Sequence, residues 1–106
     1  MGKFGIVITK HVFTGGQYEA IDPVRILPET VEQFLKELDG MTQYMPGLDY
    51  SKQMSNYNPY TYWNISGWIN DHQFSQNIGS FEEYHIFMMG ILLGFRLEAV
   101  EVKSWL

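Results

Sequence analysis

Apolar and polar positions alternate in two stretches near the amino terminus, and this pattern predicts a β-hairpin. The stretches KFGIVITKHVF and TGGQYEAI meet at Gly15 and Gly16. A two-residue hairpin turn requires positive φ angles, which glycine adopts at little cost. Pro23 has no backbone N–H to donate, so we expect it to end the second strand or to restrict that strand to the edge of the sheet.

The stretch PETVEQFLKELDG has the period of an amphipathic helix. Its apolar positions recur at i, i+3, i+4 and i+7, namely Val31, Phe34, Leu35 and Leu38. Thr30 is predicted to cap the amino-terminal end, with Gln33 as its capping-box partner. Gly40 suits a left-handed position just after the carboxyl-terminal end. We therefore expect a surface helix with an acidic outer side.

A further alternating stretch, YTYWNISGWI, begins at Tyr60 and predicts a third strand. Trp63, Ile65 and Ile69 share one side of that strand and are expected to point into the core. The other side carries Tyr60, Tyr62, Asn64, Ser66 and Trp68. The polar stretch that follows, NDHQFSQNIG, is predicted to be a connection rather than a strand.

The carboxyl-terminal third begins with a second capping box, Ser80 with Glu83, before FEEYHIFMMGILLG. Beyond Glu83 this predicted helix is apolar on every side, so we expect it to be buried between the sheet and another element. Gly94 is predicted to end it, and FRLEAVEVKSW is predicted to be a final strand.

The predicted order of elements is ββαβαβ, within a single domain that covers residues 1–106. This order indicates an α+β fold, with a small, mainly antiparallel sheet and two helices packed on one face. Residues 41–59 follow neither period and contain two turn signals, Pro46-Gly47 and Asn58-Pro59. We expect that segment to be an irregular connection that packs on the domain.

Composition and charge narrow the classes of function. The chain has 106 residues, no cysteine and a net charge of −5, so disulfide and thiol chemistry are excluded. Lys and Arg are scattered and form no basic stripe, which disfavours direct binding to nucleic acid. The longest apolar run, from Ile86 to Phe95, is far shorter than the roughly 20 residues that cross a bilayer. We expect a soluble, cytoplasmic protein without a membrane contact.

No residue spacing predicts a metal, a cofactor or a catalytic group. His11, His72 and His85 fall on different predicted elements, and no His-x-x-x-His pattern brings two ligands together. His85 is expected to be a hydrogen-bonded core residue. Glu82 and Glu83 are adjacent acids, but their place in a first helical turn is explained by the cap and the helix dipole. The sequence therefore favours a role other than enzyme.

Two features suggest how such a protein acts. Residues 41–64 are rich in tyrosine, methionine and asparagine, a composition typical of interfaces, and residues 19–39 hold an excess of acids. We therefore predict a small acidic interaction module, an inhibitor or adaptor, that binds a basic surface of another protein, for example one that binds nucleic acid. The predicted partner-binding residues are Tyr50, Tyr57, Tyr60, Tyr62, Trp68, Glu29, Glu32, Glu37 and Asp39.

Two other interpretations remain open at the level of sequence. The first is a small-molecule binder or small enzyme, with an aromatic-lined pocket that includes His72 and holds an uncharged polar ligand such as a sugar or nucleoside. The second is a homodimer with Gly90 and Gly94 at the contact, since a Gly-x-x-x-Gly pattern lets another backbone approach closely. Packing of the helix on its own sheet explains those glycines equally well.

Overall fold

The computed structural model describes residues 3–45 and 61–105, and in that part of the chain it shows an antiparallel sheet of four strands with helices on one face. The strands lie in the order β2-β1-β3-β4. Their bounds are β1 (Phe4–Thr14), β2 (Gln17–Ile26), β3 (Thr61–Ile69) and β4 (His72–Ile78). The predicted α+β class, with a small antiparallel sheet, is confirmed.

The first hairpin forms where the glycines predict it. Gly15 and Gly16 have φ angles of 60° and 88°, and the strands pair from Thr14 and Gln17 onward. Pro23 lies inside β2, which is an edge strand, next to a shift in the strand register. Among the described strands β2 is at the edge of the sheet, as predicted, and an edge strand leaves one side without ladder hydrogen bonds.

Helix α1 (Val31–Asp39) follows β2 and begins at its predicted cap. The hydroxyl of Thr30 accepts a hydrogen bond from the Gln33 amide at 3.2 Å, and the Gln33 carboxamide accepts one from the Glu29 amide at 2.9 Å. Gly40 ends the helix with a φ of −99°, so the predicted left-handed conformation there is wrong. A short 3-10 helix (Met41–Tyr44) follows directly instead.

The strand β4 is a correction to the sequence prediction, which treated NDHQFSQNIG as a connection. Asn70, at a φ of 52°, turns the chain from β3 into β4, and β4 pairs with β3 along its whole length. Phe74 and Ile78 are the only apolar residues of β4. The outward side chains of β4 are exposed, and β4 is the last of the described strands in the sheet, so few of its residues are buried. Within residues 3–45 and 61–105 the order of elements is therefore ββαββα, whereas the sequence predicted ββαβαβ.

The second correction concerns the carboxyl terminus, where the predicted final strand is wrong. Helix α2 (Phe81–Phe87) continues through a π-helical turn (Met88–Leu92) into helix α3 (Leu93–Trp105), and these three together form the long helix. Gly94 lies inside it and does not end it. One glycine costs a helix about 1 kcal/mol relative to alanine. Burial of Phe95 and Ala99, four residues apart on one side, outweighs that cost.

The core lies between one face of the sheet and the two helices, as predicted. Phe34 of α1 contacts Phe4 of β1 and Phe95 of α3, with ring centroids 5.5 Å and 5.6 Å apart. Phe74 of β4 contacts Phe95 at 4.7 Å. These rings join both helices to the sheet. Met41 and Met45 are also buried, so the first residues of the 41–59 segment pack on the domain.

The long helix is buried on one side only, which corrects the prediction of burial all round. Its buried residues are Tyr84, Phe87, Leu92, Phe95 and Ala99. His85 is exposed, so its prediction as a core residue is wrong. Gly90 and Gly94 are also exposed, and a Cβ added at either would meet no atom within 4 Å among the described residues. Close packing on the chain's own sheet therefore does not explain them.

Candidate functional site

The face of the sheet that points away from the helices forms a surface of its own. Strand pairing and alternation place on it a set of side chains that we call the outer face: Val7, Thr9, His11, Phe13, Tyr18, Ala20, Arg25, Tyr62, Asn64, Ser66, Trp68, Gln73, Ser75 and Asn77. Within residues 3–45 and 61–105, both helices pack on the opposite side of the sheet. In that part of the chain, the outer face has no second layer over it.

Four rings form an aromatic cluster at one end of the outer face: His11, Phe13, Tyr18 and Tyr62. The imidazole of His11 stacks on the ring of Tyr62, with centroids 4.6 Å apart and planes 10° from parallel. Tyr18 meets Tyr62 edge-on at 5.0 Å, and Phe13 meets Tyr18 in the same way at 5.2 Å. Such mutual contacts hold exposed rings in place, which lowers the entropy that they lose on binding.

A polar ladder of Asn64, Ser66, Ser75 and Asn77 lies next to the aromatic cluster. The amide nitrogen of Asn64 donates to the Ser75 hydroxyl at 3.1 Å and to the Asn77 side-chain oxygen at 2.9 Å. The Ser66 hydroxyl donates to the Asn64 side-chain oxygen at 2.9 Å. These bonds fix the side chains of β3 and β4 relative to each other. The ladder is a neutral, ordered hydrogen-bonding surface.

Trp68 occupies the other end of the outer face and lies across Gly5 of the paired strand. A Cβ added to Gly5 would overlap the six-membered part of the Trp68 indole. Any other residue at position 5 would thus displace the indole, so glycine is required there for the ring to lie flat on the sheet. The outer face therefore has an aromatic group at each end.

Two of the predicted tyrosine and tryptophan sites lie on this surface. Tyr62 is in the aromatic cluster and Trp68 covers Gly5. Both are only partly buried, whereas Trp63 on the other side of β3 is buried, which confirms the orientation predicted from the alternation. The other predicted aromatic residues, Tyr50, Tyr57 and Tyr60, lie outside the described residues.

The predicted acidic residues lie in a different layer of the fold. Glu32, Glu37 and Asp39 belong to α1, and Glu29 immediately precedes that helix. Helix α1 packs on the inner face of the sheet, opposite to Tyr62. The structure therefore does not bring the acidic residues and the aromatic residues together into one site.

Basic residues of α3 pair with two of these acids. The Lys103 ammonium lies 3.3 Å from a Glu32 carboxylate oxygen, and Arg96 forms an ion pair with Asp39. A hydrogen bond from its own backbone, followed by that from Lys103, lowers the pKa of Glu32 below its ordinary value. All four side chains are well exposed, so each pair contributes little stability, but each also partly neutralises the acidic surface.

Glu37 makes a contact of another kind. Its carboxylate accepts a hydrogen bond from the Tyr44 hydroxyl at 2.8 Å. That hydrogen bond, together with partial burial and the negative charge of Glu37, raises the pKa of Tyr44 above its ordinary value. Glu37 thus holds the short 3-10 helix against α1, which gives this acid a structural role.

His72 is far from the aromatic cluster, at the opposite end of the sheet. Its Nδ1 lies 3.0 Å from a Glu98 carboxylate oxygen, at a small cavity of about 100 Å³ between β4 and α3. Its pairing with Ile69 places it on the inner side. Within the described residues no three His, Asp or Glu side chains are grouped so that they hold a metal ion.

A cleft of about 520 Å³ opens between the start of β1, the start of α1 and the end of α3. Its lining includes two bases and two acids, Lys3, Lys103, Glu29 and Glu32, with Trp105 at the rim. The predicted pocket for an uncharged ligand had a neutral, aromatic lining. This cleft does not have that chemistry, whereas the aromatic cluster and the polar ladder of the outer face do.

Comparison with known protein families, curated proteins and solved structures finds no match. No helix within residues 3–45 and 61–105 is both long and apolar enough to cross a membrane. The outer face is the candidate site because it combines the aromatic cluster with the polar ladder.

Sequence reasoning missed most of the partners of Tyr62 and Asn64. His11 and Tyr18 come from the first hairpin, and Ser75 and Asn77 from the strand that was not predicted. The alternation of β1 contained part of the signal, because His11 and Phe13 have the opposite parity to the buried Ile6 and Ile8. Without the strand register, however, nothing in the sequence shows which residues are neighbours across the sheet.

Proposed function

We propose that this chain is a non-enzymatic interaction module of the inhibitor or adaptor type, and that it binds its partner protein through the outer face. The observation that carries the proposal is the aromatic cluster, in which Phe13 and Tyr18 are 39% and 45% exposed, with the polar ladder beside it. Ordered tyrosines next to serine and asparagine are characteristic of protein-binding surfaces.

The shape of the outer face supports a macromolecular partner. Four paired strands present their side chains on one surface, and the clefts described above lie on the other side or at the edges of the domain. Small molecules bind in concave sites that surround most of their surface. A broad, pre-ordered face is better suited to another protein surface.

The net charge of −5 favours a partner with a basic surface, such as a protein that binds nucleic acid. Because Glu32 and Asp39 already pair with bases of α3, charge acts here mainly on the rate of approach rather than through direct contacts. The inhibitor or adaptor role, the basic partner and the cytoplasmic location are all parts of this proposal.

The test compares wild type with the double variant His11→Ala/Tyr62→Ala in quantitative affinity capture from the native host. Both side chains lie on the outer face, so their truncation leaves the core intact, and circular dichroism checks this. Leu27→Ala is the matched control, since Leu27 is an exposed apolar residue away from the outer face. We expect the double variant to capture at least about tenfold less partner than wild type, because it lacks an aromatic anchor. The control is expected to capture as much partner as wild type. Equal capture by all three proteins would contradict the proposal.

A second candidate function is binding of an uncharged polar ligand, such as a sugar or nucleoside, on the same surface. The observation that favours it is the Tyr62 ring next to the Asn64 side chain, because sugars combine a face that stacks on aromatic rings with hydroxyls that bind amides. A thermal-shift screen against neutral sugars and nucleosides tests it. A ligand at about 100 times its Kd stabilises the fold by about 2.7 kcal/mol. This candidate function requires that a ligand raise the Tm of wild type and leave the Tm of Tyr62→Ala unchanged.

A further inference from the structure

The long helix presents an exposed apolar surface on the side away from the core. Five apolar side chains lie along it, each between 50% and 70% exposed: Ile86, Met89, Leu93, Leu97 and Val100. We call them the helix stripe. Each contributes on the order of 100 Å² of accessible apolar surface, so the stripe is at the upper end of the few hundred Å² that a monomer usually exposes. Such a surface is typical of an interface.

The π-helical turn explains why this stripe is continuous. The buried residues of the long helix are spaced by three or four positions, except for the step of five from Phe87 to Leu92, which spans the turn. One extra residue in that turn keeps the buried side of α2 in line with the buried side of α3. The extra residue also brings the exposed side of α2 into line with the exposed side of α3. On that side, the large side chains between Ile86 and Leu93 are all apolar.

The spacing of the stripe is symmetric about Leu93. Met89 and Leu97 are four positions from it in either direction, and Ile86 and Val100 are seven positions from it. If two copies of the helix cross antiparallel at Leu93, then Ile86 of one lies level with Val100 of the other, and Met89 lies level with Leu97. A two-fold symmetric contact requires a self-complementary surface of this kind.

Charged residues beyond the stripe agree with the same register. An antiparallel pair centred on Leu93 places His85 of one copy level with Glu101 of the other, whereas Lys103 is directed to Glu32 of α1, away from the stripe. A parallel pair would instead place Glu82 and Glu83 beside their own copies, where like charges repel. The antiparallel arrangement also sets each helix dipole against the opposite end of its neighbour.

The glycines allow the two helices to approach closely. Gly90 and Gly94 flank the centre of the stripe, and the space where a Cβ would lie is open at both. Small residues next to large ones form the holes into which side chains of a facing helix fit. Two fully buried stripes together remove roughly 1,000 Å² of apolar surface from water, about the minimum for a specific protein interface.

We propose that the long helix is a homodimer interface, in which a second copy of this chain packs antiparallel on the helix stripe with the two-fold axis at Leu93. The contact is independent of the outer face, which lies on the other side of the sheet. Each dimer therefore presents two outer faces. A partner with two or more sites would bind such a dimer more tightly than a monomer.

The first test measures mass by sedimentation equilibrium over a dilution series of the full chain. We expect a particle of twice the 12.4 kDa chain mass that dissociates on dilution. Leu93→Glu places two like charges at the axis and is expected to weaken the dimer at least about 100-fold. Leu27→Glu is the control, because Leu27 is an exposed leucine like Leu93, at 61% against 50%, but lies outside the stripe. Thermal melts check that both variants fold.

The second test distinguishes the antiparallel register from any other. Met89→Lys and Leu97→Glu are each expected to weaken the dimer, whereas the double variant is expected to recover it, because each new lysine then lies level with a new glutamate of the other copy. Met89→Lys/Leu97→Lys is the like-charge control, which places lysine level with lysine, and it should remain monomeric. In a parallel pair both double variants would repel, so failure of the opposite-charge variant to recover overturns the register.

Other occupants of the stripe give other results. If residues 46–60 of the same chain cover it, or if a different protein or a membrane surface binds there, wild type stays monomeric even at about 0.1 mM, a concentration that populates complexes with micromolar Kd. A monomer at that concentration overturns the proposal, as does a dimer that Leu93→Glu leaves intact. Binding of wild type to neutral lipid vesicles, with no dimer in solution, would identify the membrane case.

Discussion

Substitution of Gly67 by alanine tests how the sheet holds the long helix. Gly67 is on the inner side of β3, and a Cβ added there would lie 2.5 Å and 2.8 Å from two ring carbons of Phe74 and 3.2 Å from the Gly5 carbonyl oxygen. The ring has little room to retreat, because Phe87 and Phe95 lie behind it with centroids 5.7 Å and 4.7 Å away. The substitution must therefore move Phe74 and the helix that packs on it.

We expect Gly67→Ala to lower the free energy of unfolding by about 1–3 kcal/mol, the usual cost of an added methyl in a packed core. For a domain of this size, that corresponds to a fall in Tm of roughly 5–15 °C. Urea and thermal denaturation followed by circular dichroism measure both quantities. Gly90→Ala is the matched control, since the space there is open and alanine favours a helix by about 1 kcal/mol over glycine.

The two variants should therefore change stability in opposite directions. If Gly67→Ala is as stable as wild type, Phe74 is not confined between the sheet and the long helix, and the described packing of that helix is wrong. If Gly90→Ala destabilises the fold of the isolated monomer, the side of the helix that carries the stripe is not open.

Two further predictions concern α1. Thr30→Ala removes the hydroxyl that accepts the Gln33 amide and should cost about 1 kcal/mol in urea denaturation, whereas Thr30→Ser should cost much less. The pKa of Tyr44 is raised by its hydrogen bond to Glu37, so the stability from this contact is fully present below the ordinary pKa of tyrosine and is lost as the pH rises through the raised value. Glu37→Gln should return the Tyr44 pKa toward its ordinary value in an NMR titration, and an unchanged pKa would refute this cause.

The parts of the fold that the sequence predicted are those with a strong local signal. Gly15 and Gly16 specify a turn without reference to the rest of the chain, and Thr30 with Gln33 specifies a helix start. The inward orientation of Trp63 followed from alternation alone. Each of these features depends on residues close together in sequence.

The errors occurred where a local pattern supports two structures. FRLEAVEVKSW alternates like a strand, but Phe95 and Ala99 also have helical spacing, and the cap at Ser80 starts a helix that nothing before Trp105 ends. Strand β4 has too few apolar residues to be recognised, because it gains its stability from pairing with β3. The candidate site was predicted only in part for the same reason, since the contacts of Tyr62 cross between strands.

Side-chain footprinting with hydroxyl radicals, on the free chain and on the chain with its captured partner, tests the proposed binding surface most directly. The proposal predicts that Phe13, Tyr18 and Tyr62 are oxidised in the free chain and protected in the complex, while Leu27 is unchanged. Protection confined to α1 or to the helix stripe, with Tyr18 and Tyr62 still oxidised, would contradict binding through the outer face.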